Sequence, residues 1–167
     1  MRLPASRRAG FTLIELLMVV AIVGTLALVG PRILINVNNF FLTTTTRNDV
    51  QRDARAALDI INRMMRQARY NTIVIETPSG QGPYSRIMFT HIDGRNMTIE
   101  QSGSELRMAI NGQATVLSKN LVYIAFTFPR TDDPTIVSVS MTMGKNIHLG
   151  QRKVLELTIQ KIRVMNI

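Results

Sequence analysis

Glu15 is the first residue that demands a chemical account. It is the single charge in the 20-residue apolar run Phe11–Gly30, FTLIELLMVVAIVGTLALVG. A carboxylate at the centre of a membrane helix costs about 3 kcal/mol unless it meets a cation or lies near the interface. Other chemistry-bearing residues are sparse. His91 and His148 stand apart, without the spacing of a metal pair. Asp132 and Asp133 precede Pro134. Two adjacent acids can join backbone carbonyls around calcium, but a solvated turn explains them with fewer assumptions. No G-x-S-x-G, P-loop or glycine-rich dinucleotide pattern occurs, and no hydroxyl is singled out beside a base. The residues therefore point to no catalysis, no cofactor and no metal.

The elements around Glu15 explain its position. As a helix, Phe11–Gly30 would be about 30 Å long, which matches the hydrocarbon core of a bilayer. Arg2, Arg7 and Arg8 precede it, with no acid among the leading ten residues. Cations on that side orient such a segment with its N-terminus in the cytoplasm, leaving the rest of the chain outside. The net charge is +9, from 20 basic and 11 acidic residues; without those three arginines it falls to +6. The absence of cysteine excludes disulfides and cysteine metal sites and is silent on compartment. Beyond the apolar run, roughly 130 residues remain, enough for one domain with a modest core.

Four kinds of N-terminal segment compete. A secretory signal would be shorter and would close on small residues, and "ALVGPR" is a poor cleavage site. The twin-arginine match "SRRAGF" is loose, with Phe11 displaced by one position. A plain anchor leaves Glu15 unexplained. The run "RRAGFTLIELL" resembles the processing site of type IV prepilins, the family of pilins, type II secretion pseudopilins and competence pilins.

That resemblance implies a leader, residues 1–10, cut by prepilin peptidase after Gly10. It implies a new, N-methylated terminus at Phe11 and an assembly role for Glu15. It also implies pilin or pseudopilin partners, an inner-membrane assembly platform, and membrane lipid around the helix before assembly. Physically, cutting before Phe11 creates an ammonium at the head of an apolar helix, one turn from the Glu15 carboxylate. A buried pair of this kind sets register between subunits more than it adds affinity, because desolvation cancels much of the attraction.

Gly24, Gly30 and Pro31 interrupt good helix formers and mark a kink at the end of the apolar run, residues 11–31. Residues 32–70 continue the helix. Their first part, "NVNNFFLTTTTRN", is a weak former that needs its context. Val50, Ala54, Ala57, Leu58, Ile61, Met64, Met65 and Ala68 then recur at helical spacing, a stripe made to pack on a sheet. Arg52, Arg55, Arg63 and Arg66 fall opposite. This basic face reads as a solvated surface, a subunit contact, or a DNA-binding surface on a competence minor pilin. No aromatic residues interleave with the arginines, so DNA is the lesser alternative.

From residue 71 to 167 the period changes to two. Candidate strands are 72–76, 85–91, 96–100, 105–110, 114–117, 121–128, 135–143 and 153–164. Turn signals separate them: "TPSGQGP", Asp93-Gly94, Ser102-Gly103, Asn111-Gly112, "RTDDP" and Gly144. In the last strand the apolar phase shifts from Leu155, Leu157 and Ile159 to Ile162 and Val164, and a bulge at Gln160–Lys161 would account for it. The expected architecture is α+β, a long N-terminal helix packed on a mainly antiparallel sheet. "NLVYIAFTF", "TIVSVSMTM" and "KVLELTIQKIRVMN" resemble the ending of J-type minor pseudopilins and W-type minor pilins, although Val164 and Met165 separate Arg163 from Asn166 where those proteins end in Arg-Asn.

Overall fold

The computed structural model describes residues 10–130, 132–147 and 151–165. Arg2, Arg7, Arg8, His148 and Asn166 lie outside the described residues. The chain divides into two compact units, residues 1–42 and 43–167. Helix α1 is assigned from Leu13 to Arg66, 54 residues.

Up to Gly30 the helix is apolar all round apart from Glu15, and its large apolar side chains from Leu13 to Phe41 are exposed. Its most apolar 18-residue window has a mean hydropathy of 2.5 and buries nothing. The helix passes Gly24, Gly30 and Pro31 without a break in assignment. The weak formers from Asn36 to Asn48 are helical as well. Isolated short helices of such residues are marginal, so continuity with strong formers on both sides carries them.

The second unit packs the end of α1 on two antiparallel sheets. The first sheet has five strands in the order β1 to β5: Val74–Glu76, Arg86–Thr90, Asn96–Ser102, Glu105–Ile110 and Gln113–Ser118. The second has three: β6 (Leu121–Thr127), β7 (Ile136–Ile147) and β8 (Gln151–Arg163). Within each sheet every strand pairs antiparallel with its sequence neighbour, while β5 and β6 belong to different sheets and do not pair. Asn111 (φ 50°) and Gly112 (φ 87°) both take left-handed conformations, the geometry a two-residue hairpin needs between β4 and β5.

The core forms where the period-3.6 stripe meets the period-2 faces. Val50, Ala54, Ala57, Leu58, Ile61, Met65 and Ala68 are buried, and Met64 is half-buried. They join Ile87 and Phe89 of β2, Met97 and Ile99 of β3, Ile124 and Phe126 of β6, and Val137, Val139, Met141 and Met143 of β7 in one cluster.

Three expectations change. β1 starts at Val74, because Tyr70–Thr72 form a turn of 3-10 helix that ends the helical region. Gly144 is no turn: it lies inside β7, at a register shift where its N–H bonds the Asn120 carbonyl at 2.8 Å. The bulge in the last strand is there too, since Met143 pairs with Glu156 and Gly144 with Val154. Pairing through Gln160 and Lys161 is regular. The apparent phase change has a simpler cause. Ile162 and Val164 face the core, while Ile159 sits on the opposite face and is 62% exposed.

Candidate functional site

The N-terminal site is built from a turn and the helix it starts. Gly10 and Phe11 are exposed and precede the helix, and Phe11 is 89% exposed. Thr12 then caps α1. Its Oγ1 lies 3.4 Å from the Glu15 N–H, while the Glu15 carboxylate reaches back to accept from the Thr12 N–H at 2.8 Å and the Thr12 hydroxyl at 3.0 Å. This is a capping box, in which two otherwise orphaned backbone donors are satisfied reciprocally. The box uses one oxygen of the carboxylate in both contacts, Oε2, so the other remains for a second donor. A carboxylate in the opening turn also complements the positive end of the helix dipole. The sequence carried this signal as T-x-x-E ahead of an apolar run. Thr12 is therefore a site residue that reasoning from the Gly-Phe junction alone passes over.

Gly10 and Phe11 are both exposed, and Glu15 lies in the first turn of the helix. Gly24 and Gly30 have open space around the position a Cβ would take. Pro31 lacks the N–H that would bond to the carbonyl of residue 27, so the helix loses one rung there.

In the second unit Arg52, Arg55, Arg63 and Arg66 are all exposed. Arg52 lies 3.6 Å from Asp49. Arg66 donates to the Met165 sulfur at 3.2 Å, and its carbonyl accepts from the Met165 N–H at 3.3 Å. That tie lays the end of the β8 segment along the end of α1. Arg63 and Arg66 thereby come beside a hollow shared with that segment, and Arg52 and Arg55 do not line it.

His91 is buried between two partners. Its Nε2 lies 2.7 Å from Gln67 Oε1 and its Nδ1 2.8 Å from Asp93 Oδ1. Asp93 also binds Arg95, whose guanidinium holds the Asp93 carboxyl well below the usual carboxylate range. With the backbone bonds Arg69 N–H to the Thr90 carbonyl and Ile92 N–H to the Gln67 carbonyl, the cluster fastens the β2–β3 hairpin to the end of α1. It is structural. Asp132 pairs with Arg130, and Asp133 accepts from the Thr135 N–H and hydroxyl, which lower its carboxyl pKa. Both acids serve the turn. Among the described residues no group of three or more His, Cys, Asp or Glu side chains could hold a metal.

Gln101 is the other residue that sequence reasoning passed over. Its side chain leaves β3 and clasps β6, donating to the Val122 carbonyl at 3.1 Å and accepting from the Ile124 N–H at 3.2 Å. It stitches the two sheets together. Its signal was a polar residue in the apolar phase set by Met97 and Ile99.

Comparison with known proteins agrees with the N-terminal geometry. Residues 5–30 match the family described as the prokaryotic N-terminal methylation motif. No curated protein matches the chain.

Proposed function

We propose that this chain, which carries the type IV prepilin-like signature, is a minor pilin or pseudopilin processed after Gly10 and assembled through its apolar helix. The motif supports a type IV pilin-like or pseudopilin protein. It suggests a structural rather than a catalytic role, assembly with other pilin subunits and processing by prepilin peptidase. The apolar helix fits a membrane anchor. The finer steps below are the reading we build on these facts.

The precursor waits in the inner membrane with the β domain outside the cytoplasm. The peptidase cuts between Gly10 and Phe11, and the freed Phe11 amine is methylated. The amine stays cationic when methylated, so a positive charge lies next to the Thr12–Glu15 cap. Assembly moves the helix from lipid into a bundle of similar helices, where a Glu15 left without a cation would be penalised. A neighbour's Phe11 ammonium meets that need and fixes the axial register. The strand pattern of the C-terminal half favours a minor subunit of the J or W kind.

One observation carries this reading: an exposed Gly-Phe junction stands directly before a capped helix whose first turns, up to Gly30, are apolar on every side apart from Glu15. Mass spectrometry of the assembled protein is expected to find methylated Phe11 as its N-terminus. An intact Met1 in assembled material would sink the reading. A second reading, a competence minor pilin that binds DNA, has the exposure of Arg52, Arg55, Arg63 and Arg66 in its favour. On that reading the full chain in detergent binds duplex DNA with an affinity falling steeply with salt, and each Arg→Gln change lowers the log–log slope by about 0.9.

A further inference from the structure

The end of α1 and the end of the β8 segment enclose a surface groove. Its larger part, about 480 Å³, is lined by Asp59, Asn62, Arg63, Arg66, Gln67 and Met165. A smaller part, about 240 Å³, shares Asn62, Arg66 and Met165 and adds Lys161 and Arg163. Arg63 and Arg66 line the larger part, and Arg66, Lys161 and Arg163 line the adjoining smaller part; among the described residues Asp59 is the one carboxylate in either lining, and the nearby Asp133 carboxylate also feels Arg163. Among the described residues no acid lies within ion-pair distance of Arg63 or Lys161. Arg63 and Arg66 also lie in the last turn of α1, where the negative end of the helix dipole favours cations. The dipole does not account for Lys161 and Arg163, which belong to a strand.

We infer that this groove is a docking site for an acidic segment of a different protein, with carboxylates as the recognised groups. Guanidinium forks on one wall and an ammonium on the other suit carboxylates at the ends of short side chains. Met165, which is 64% exposed, offers an apolar wall for their methylene stems. A nucleic-acid strand fits less well. The hollow admits a few side chains rather than a continuous backbone, its lining has no aromatic ring on which a base could stack, and Asp59 interrupts the positive surface. A second copy of the chain fits less well too, because, among the acids beyond α1 whose side chains are described, all but Asp133 already pair with an arginine at home. Glu76 and Glu100 hold Arg86, Glu105 holds Arg107, Asp93 holds Arg95 and Asp132 holds Arg130. The inference deepens the subunit reading by giving the partner an acidic surface, but it stands or falls on peptide binding, which does not require a filament.

The test uses the full chain in detergent micelles and a fluorescent oligoglutamate peptide, read by anisotropy at physiological salt. The double variant Arg63→Gln/Lys161→Gln changes only exposed side chains, so the fold is kept. It is expected to weaken peptide binding roughly tenfold or more, since charge-assisted contacts are lost from both walls. The control Arg52→Gln/Arg55→Gln removes as much charge outside the groove and is expected to leave affinity within about twofold, since exposed charges away from a contact add little. Equal losses in both variants would show diffuse attraction to a basic protein and overturn the proposal. So would tighter binding of a short DNA duplex, lost in the same groove variant. Self-association of the wild-type chain in sedimentation that the groove variant abolishes would overturn it in favour of a second copy.

Discussion

Replacing Gln101 by Met should be among the most destabilising substitutions available without opening a cavity. The two side chains are close in length and volume, so the effect isolates the amide. In the native fold that amide makes three contacts: to the Gly103 carbonyl at 2.9 Å, the Val122 carbonyl at 3.1 Å and the Ile124 N–H at 3.2 Å. Gly103 is exposed, so its carbonyl recovers a bond to water. Ile124 is fully buried, and its N–H would be orphaned. An unsatisfied buried donor costs about 1–3 kcal/mol, and the half-buried Val122 carbonyl adds part of a similar cost. The expected loss is about 2–4 kcal/mol, a large part of the stability of an ordinary domain. With a urea dependence of about 1.5–2 kcal/mol per molar, the unfolding midpoint should fall by about 1–2.7 M. The assay is urea titration of the full chain in detergent, followed by near-ultraviolet circular dichroism of its three tyrosines. Gln113→Met, on the exposed start of β5, is the control and should shift the midpoint little. A Gln101→Met midpoint equal to wild type would mean that the sheets are held by the helix alone, and would refute the clasp.

The remaining predictions test the core, the hairpin anchor and the cap. Ile61→Ala, at a fully buried position in the helix stripe, should cost about 2–5 kcal/mol in the same titration, against about 1 kcal/mol for Ile61→Val. Acidification should destabilise the second unit through Asp93 and Asp133, whose carboxyls titrate below their unfolded values. Their contribution is present above the unfolded carboxylate pKa of about 4 and is lost as pH falls through the folded values; Asp93→Asn should flatten that part of a melting-temperature profile measured from neutral to acid pH. Thr12→Ala should weaken the start of α1 by about 1 kcal/mol while keeping the charge. Glu15→Gln should keep the cap, which accepts Gln at this position, yet fail to enter filaments when sheared material is blotted.

Much of this was legible because the strongest signals are periodic. The stripe from Val50 to Ala68 and the alternation through β2 and β3 each have a phase that buries their apolar residues. Asn111-Gly112 specified its hairpin for the same reason, since few other pairs accept two left-handed residues in a row. What stayed hidden depends on partners distant in sequence. Gln101 reads as an ordinary polar strand residue until β6 arrives 20 or more positions later. Gly144 reads as a turn because glycine marks both turns and bulges, and only the pairing of β7 with β8 separates the two. Eight strands were visible locally, but their division into sheets of five and three follows from where β6 docks. The groove was invisible for that reason as well: Lys161 and Arg163 join Arg63 and Arg66 only once the β8 segment lies beside the helix.

Glu15 has two claims on its carboxylate, and the capping box shows how both can hold. The cap is local, and it forms as soon as the helix does. It uses Oε2 for both contacts with Thr12, which leaves Oε1 for an ammonium. On the proposed reading, a lone subunit in lipid would have part of its carboxylate cost offset by its own backbone, which would help an acid survive in an apolar segment. The offset is incomplete, because an N–H and a hydroxyl are neutral donors and the charge itself is not cancelled. That residue of cost is what a neighbouring Phe11 ammonium would relieve on assembly. The two substitutions separate the claims: Thr12→Ala keeps the charge and loses the cap, while Glu15→Gln keeps the cap and loses the charge. If the charge sets register, Glu15→Gln is the more damaging to filaments although it is the gentler change to the helix. The opposite order would make Glu15 a helix cap alone.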